Sequence, residues 1–154
     1  MVARDLLPTA VGGPKCAQLG VAMWPTLSPE GSRVAFSAKE IAGFDGLVAR
    51  LYAPSQILIA DRAWTRTTVI ASGIEELKNL TWSPSGGWIA FTDRRDGVEG
   101  IWLVSENGGR IVLLSEMNAR SIAWAPDGAS IVAVENANGG PSTVVRFDDL
   151  PEPP

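Results

Sequence analysis

The sequence predicts an all-β fold in which one four-stranded unit is repeated along the chain. On both sides of a Pro-Ser-Gly turn at Pro84, apolar residues alternate with small or polar ones, which is the pattern of strands with one more deeply buried face. Pro84 restricts φ for the turn, and Gly86 tolerates a positive φ. Asn-Gly-Gly at 107–109, between two apolar runs, predicts a second hairpin. The unit is therefore a meander of four antiparallel strands, A to D.

The turn of this unit occurs three times, with its proline at Pro29, Pro84 and Pro126. A four-stranded repeat of about 40–45 residues is the period of a β-propeller blade. The first step is longer than the second, and an insertion at 39–55, between strands B and C of the first copy, explains most of the difference. The matching loop of the second copy is predicted at 94–99.

Two copies of the turn carry a more specific resemblance. Trp-Ser-Pro-Ser-Gly-Gly-Trp-Ile-Ala-Phe at 82–91 and Trp-Ala-Pro-Asp-Gly-Ala-Ser-Ile-Val-Ala at 124–133 resemble the TolB-like, WD-type propeller repeat. The resemblance covers roughly residues 20–148 and implies a six-bladed β-propeller. Because members of this family differ widely in activity, the resemblance implies little about function.

The repeat assigns blade 1 to about 24–71, blade 2 to about 78–115 and blade 3 to about 120–148. Blade 3 lacks a predicted D strand, because the prolines of 151–154 cannot join a strand ladder. Residues 4–9 can be aligned with strand D of blade 2, which makes them a D strand with no blade before it. The whole chain is thus predicted to be one half-propeller domain.

Three blades are too few to close a ring, since propellers have about four to eight. Two copies related by rotation supply six. We therefore expect a homodimer in which residues 4–9 of each chain complete blade 3 of the other chain. The alternative is that the chain is a fragment of a longer propeller. The residues predicted at the closure are Leu6, Leu7, Val144 and Phe147.

Long irregular segments are predicted on one face of the propeller, where B–C loops and D–A connections emerge. Segments 8–23, 39–55, 94–99 and 136–141 share this face, and loops on a rigid scaffold are common binding sites. We expect a peptide, a protein segment or a small polar molecule to bind there, at the mouth of the axial channel; the alternative is an ordinary set of solvated loops. The candidate ligand-binding residues are Trp24, Phe44, Asp45, Tyr52, Asp93, Arg94, Arg95, Asp96 and Asn136.

Catalytic chemistry is not favoured by the composition. The chain has no histidine, which excludes histidine-based triads and histidine metal sites, and Cys16 is its single cysteine. No phosphate loop and no paired-carboxylate spacing stands out. We predict a non-enzymatic binding or scaffolding protein with no catalytic residue, no metal and no cofactor. The alternative is a hydrolase or lyase with carboxylates around the propeller axis.

The charge and hydropathy patterns restrict the partners. The net charge is −4 and no basic cluster is present, so nucleic acid is not an expected ligand. No run approaches the roughly 18 apolar residues of a membrane span. The stretch Met1–Asp5 lacks the apolar region of a signal peptide, so we expect a cytoplasmic protein, or a periplasmic one if a leader was removed.

Overall fold

The structure, a computed structural model, describes residues 19–40, 55–63, 65–135 and 140–153. Within these ranges the regular elements are eleven β-strands in three antiparallel sheets. Blade 1 contains β1 (Leu19–Leu27), β2 (Arg33–Glu40), β3 (Ser55–Asp61) and β4 (Thr67–Ile74). Blade 2 contains β5 (Asn79–Trp82), β6 (Trp88–Arg95), β7 (Val98–Ser105) and β8 (Ile111–Glu116). Blade 3 contains β9 (Ala119–Trp124), β10 (Ile131–Glu135) and β11 (Val144–Phe147).

The predicted all-β class and the antiparallel meander are confirmed by this strand order. The repeated turn has the same hydrogen bonding in each blade. In blade 2, the Ser83 N–H donates to the Trp88 carbonyl at 2.8 Å, and the Gly86 N–H donates to the Ser83 carbonyl at 3.0 Å. Gly86 has a φ of 89°, and its counterparts Gly31 and Gly128 have φ values of 69° and 72°. A residue with a Cβ is disfavoured in this region, which explains the glycine in every copy.

The first strand begins earlier than predicted. It starts at Leu19 and not near Trp24, because Ala22 and Met23 pair with Ala38 and Ser37 of β2. The sequence pattern did not indicate this extension, since the alternation is interrupted by a bulge between Met23 and Thr26.

The prediction of a six-residue loop over 94–99 is wrong. Arg94 pairs with Glu99 and Arg95 pairs with Val98, so the strands β6 and β7 continue to a two-residue turn. That turn is Asp96–Gly97, with φ values of 51° and 82°. Two successive positive φ values are typical of the tight hairpin turn that Asp-Gly favours. The loop face of blade 2 is therefore compact at this hairpin.

The three sheets pack face to face. Trp82, Ile89 and Phe91 of blade 2 are buried against a face of blade 1 that includes Ile57 and Ile59. A second cluster joins the opposite face of blade 2 to blade 3. Its buried members are Trp88, Ala90, Ile101, Leu103, Ala119, Ile122, Ile131 and Ala133.

Strands β1, β5 and β9 lie next to one another, and we call their side of the molecule the hub. The Trp82 N–H donates to Thr26 Oγ1 at 3.3 Å, which joins β5 to β1. The Trp124 indole N–H donates to the Thr81 carbonyl at 3.3 Å, which joins β9 to β5. First strands clustered at a centre, with sheets radiating outward, are the geometry of a propeller.

Candidate functional site: the loop face and the two flanks

The loop face of blade 2 is built by connections that hydrogen-bond to the strand ends. The Lys78 N–H, between β4 and β5, donates to the Thr92 carbonyl at 3.2 Å. The Met117 N–H, between β8 and β9, donates to the Glu99 carbonyl at 3.1 Å. These bonds bring both D–A connections to the same face as the Asp96–Gly97 turn.

A cluster of four charged side chains covers this face. Lys78 and Arg94 each lie within 3.6 Å of carboxylate oxygens of both Glu76 and Glu99. The hydrogen bond from Arg94 lowers the pKa of Glu99 and raises the pKa of Arg94 itself. Because the pairs are partly exposed, water and salt screen them, and each contributes little to the stability of the fold. The cluster is a charge-balanced patch.

Asp93 lies beneath this patch and is 3% exposed. Its Oδ1 accepts a hydrogen bond from the Glu76 N–H at 2.7 Å, and its Oδ2 lies 3.7 Å from Arg95 Nη1. Burial raises the pKa of the Asp93 carboxyl, although the backbone hydrogen bonds and Arg95 oppose that shift. Asp93 thus anchors the β4–β5 connection and is not presented to solvent.

The other three charged candidates of this hairpin differ in exposure. Arg95 is half-buried, and its guanidinium lies over the Trp102 ring, 5.6 Å from the ring centroid. Arg94 and Asp96 are exposed, Arg94 in the patch and Asp96 at the turn. The structure therefore offers only Arg94 and Asp96 of this group to a ligand at the surface.

Trp24 lies on the hub strand β1, within the bulge, and is 43% exposed. Its φ of 59° is in the left-handed region, which is uncommon for a residue with a large side chain. The neighbouring Met23 carbonyl accepts a hydrogen bond from Ser37 Oγ at 3.1 Å, which ties the bulge to β2. The bulge interrupts the alternation of side chains along β1 and leaves the Trp24 indole at the surface.

Several predicted site residues lie outside the described residues. They are the ligand-binding candidates Phe44, Asp45, Tyr52 and Asn136 and the closure candidates Leu6 and Leu7.

The remaining closure candidates, Val144 and Phe147, point to opposite faces of blade 3. Phe147 pairs with Ile131 and packs against the cluster between blades 2 and 3. Val144 pairs with Val134 on the other face and is 68% exposed. The separation of three residues requires this result, because side chains alternate along a strand. Only Val144 can therefore contribute to a flank of the molecule.

Blade 1 has an exposed residue at the equivalent of a blade-packing position. Trp82 and Trp124 each end the first strand of their blade and pack toward the preceding blade. Leu27 occupies this position in blade 1, pairs with Val34 and is 63% exposed. Leu27 and Val144 thus mark the outer flanks of blades 1 and 3. On the flank of blade 1 Leu27 is exposed, whereas Phe36, Ala38, Leu58 and Ala60 on the same face are buried.

A groove that the sequence did not predict lies between blades 1 and 2, on the face opposite the loop face. It has a volume of about 470 Å³ and is lined by residues that include Asp61, Arg66 and Asn107. Arg33 closes one side by pairing with Glu106 at 2.7 Å. Because the lining residues come from turns far apart in the chain, no local motif signals the groove.

In ranges 19–40, 55–63, 65–135 and 140–153, no group of three or more His, Cys, Asp or Glu side chains is arranged to hold a metal ion. Across the same part of the chain, no helix has the length and apolar character needed to traverse a bilayer.

Comparison with known proteins identifies the fold. No family model and no curated protein matches the chain. Among solved structures, the chain is similar to putative TolB from Agrobacterium tumefaciens, with 19% identity over 86% of this chain and 47% of that chain and a TM-score of 0.67. TolB from Acinetobacter baumannii matches with 22% identity, 85% and 30% coverage and a TM-score of 0.58. The β-propeller domain of the Trilobed protease from Pyrococcus furiosus matches with 21% identity, 84% and 39% coverage and a TM-score of 0.62.

The chain spans less than half the length of each of these structures. At these identities the likeness establishes the fold, and the predicted resemblance to TolB-like propellers is confirmed at that level. The described residues have a β-propeller fold similar to part of each of these structures.

Proposed function

We propose that this protein is a non-enzymatic binding or scaffolding module that works as a six-bladed ring of two copies. In this ring, the flank marked by Val144 of each copy packs against the flank marked by Leu27 of the other. The observation that carries the proposal is the exposure of these two apolar side chains at positions where successive blades otherwise pack. Burying both flanks removes apolar surface from water and stabilises the association.

The edge of blade 3 supports the same assembly. Within the described residues, β11 pairs only with β10, and no described strand covers its outer edge. An extended segment from another chain can pair with such an edge. Residues 4–9 of the second copy, with Leu6 and Leu7, are the strand that we propose for this position.

Ligand recognition is proposed for the loop face. Trp24 and Arg94 supply an exposed aromatic ring and an exposed guanidinium, and Asp96 supplies an exposed carboxylate. Such a mixture suits a peptide, a protein segment or a small polar molecule. Phe44, Asp45, Tyr52 and Asn136 are part of this proposal through their predicted positions in the sequence. The carboxylates of Asp93 and Glu99 are engaged by Glu76 N–H and Arg94, which favours binding over acid–base chemistry.

The assembly is tested by light scattering coupled to size-exclusion chromatography on the full chain. We expect the mass of two chains at micromolar concentration, because two flanks are buried at once. A stable monomer at that concentration contradicts the ring of two copies, and a larger species contradicts closure by two.

The binding face is tested separately with a displayed peptide library selected against the wild-type chain. Enriched peptides are expected to lose at least about tenfold in affinity, or about 1.4 kcal/mol, for the Trp24→Ala and Arg94→Ala variants. Arg62→Ala, on a turn of the opposite face, is the matched control. If the peptides bind all three variants with equal affinity, the recognition surface does not include Trp24 or Arg94, and the proposal is contradicted.

A further inference from the structure

Residues 148–153, which we call the proline segment, have a conformation that their sequence largely dictates. The rings of Pro151 and Pro153 restrict φ to about −65°. Leu150 and Glu152 each precede a proline, which disfavours helical backbone at both residues and favours an extended one. The Leu150 N–H donates to the Asp148 carbonyl at 3.0 Å, so the chain turns at 148–150 before the prolines hold the remainder in a restricted, extended conformation. The segment forms no strand in the structure, and its two prolines have no N–H to donate.

The proline segment leaves β11 and docks on the repeated turn of blade 2. The Trp88 indole N–H donates to the Pro151 carbonyl at 2.9 Å, and Trp88 is 5% exposed. Leu150 packs against the cluster between blades 2 and 3, to which Trp88 belongs. A buried indole N–H without an acceptor is costly, so the Pro151 carbonyl satisfies a donor that the fold has placed there.

Gly87 makes room for the proline segment because it has no side chain. A Cβ at this position would lie 2.6 Å from Cβ and 2.7 Å from Cγ of Pro153, closer than real Cβ atoms approach. Its φ is not among the positive values of the chain, so the turn itself does not require glycine here. The close approach of the Pro153 ring is the physical reason for a glycine at this position.

The other two copies of the turn lack these features. Gly87 is replaced by Ser32 in blade 1 and by Ala129 in blade 3. Trp88 is likewise replaced by an arginine and a serine. The repeat thus does not require Gly-Trp at these two positions, because the other two turns form the same hydrogen bonds without it.

We propose that Gly87, Trp88 and the adjoining seam between blades 2 and 3 form a docking surface for a proline-rich, extended segment of another polypeptide. An indole N–H that binds a carbonyl, next to a glycine that leaves room for a proline ring, resembles the chemistry by which aromatic grooves recognise polyproline helices. The proline segment occupies this surface in cis and competes with ligands from outside. Because it is tethered, its effective concentration is in the millimolar range, and an external ligand binds well only when the segment is weakened.

The test uses a full-length chain with Pro151→Gly and Pro153→Gly, which makes the proline segment flexible and leaves the docking surface intact. The probe is a capped peptide with the sequence of 148–154, Asp-Asp-Leu-Pro-Glu-Pro-Pro. Binding is followed by the ¹⁵N–¹H signal of the Trp88 indole, assigned with a Trp88→Phe variant. We expect saturable binding at a peptide concentration at least roughly tenfold below that needed for the wild type.

Two controls separate recognition from a merely structural contact. Adding Gly87→Ala to the double variant is expected to abolish binding, whereas adding Ser32→Ala at the matching turn leaves it unchanged. The peptide Asp-Asp-Leu-Ala-Glu-Ala-Ala is expected not to bind. If the double variant does not fold, Leu150→Ala replaces it, because it weakens the segment through one side chain. Absence of saturable binding in the folded variant, or equal binding of the alanine peptide, overturns the proposal.

Discussion

At Asp93, burial and hydrogen bonding act in opposite directions on the pKa of the carboxyl group. Its position after a strand predicted an exposed ligand-binding carboxylate, but its Oδ1 holds the Glu76 N–H and its side chain is enclosed. Burial raises its pKa above the ordinary value of 3.8. The folded chain therefore holds a proton on Asp93 more tightly than the unfolded chain does.

This difference predicts a pH dependence of stability. As the pH rises from about 3.8 through the raised pKa of Asp93, the folded state binds more protons than the unfolded state, and the free energy of unfolding falls. Asp93→Asn removes this contribution, so the fall should be smaller in the variant. Urea unfolding of both proteins between about pH 3 and pH 7 measures it.

Glu99→Gln is the control of opposite sign. Arg94 lowers the pKa of Glu99, so ionisation of Glu99 stabilises the fold as the pH rises. The Glu99→Gln variant should therefore lack this increase in the free energy of unfolding as the pH rises. Parallel pH profiles for wild type and Asp93→Asn would contradict the buried position of Asp93.

At the scale of the element, β1 differs from the other hub strands through its bulge. Trp24 has a φ of 59°, and the register with β2 shifts between Met23 and Thr26. A left-handed residue with a Cβ costs roughly 1–2 kcal/mol, and such strain is found where a side chain is aimed at a functional surface. The bulge is consistent with the proposed role of Trp24 in ligand recognition.

The strain can be measured by comparing two variants at this position. Trp24→Gly and Trp24→Ala both remove the indole, but only glycine adopts the positive φ without a penalty. We expect Trp24→Gly to be the more stable variant by about 1 kcal/mol in urea unfolding. Equal stability of the two variants would show that the bulge is absent in solution.

At the scale of the whole molecule, the two flanks are the basis of the proposed assembly. Leu27 and Val144 belong to different blades and lie at opposite ends of the row, yet both are exposed apolar residues at blade-packing faces. A closed ring is the arrangement that covers both flanks with identical contacts.

Charges placed on the flanks should open the ring. Leu27→Glu and Val144→Glu are each expected to weaken association at least about tenfold, because an unpaired carboxylate would be buried at the contact. Leu113→Glu is the matched control, since Leu113 is an exposed apolar residue on β8, away from both flanks. Sedimentation equilibrium reports the dissociation constants, and a control as disruptive as the flank variants would argue against the proposed contacts.

The sequence by itself determined the repeat, the antiparallel meander and the turn positions. These features depend on local chemistry: proline and glycine at turns, and alternation of apolar side chains along strands, as at Pro84 and Gly86. It also contains the tight Asp96–Gly97 turn, although the charged residues on both sides of this turn predict a longer loop.

Only the tertiary structure decided which of these residues are available for function. The burial of Asp93, the opposite faces of Val144 and Phe147 and the docking of Pro151 on Trp88 are contacts between strands, connections and blades. Their positions depend on strand register and on the packing of one blade against the next. Such contacts join residues as far apart as Trp88 and Pro151, and no spacing within a single stretch of sequence encodes them.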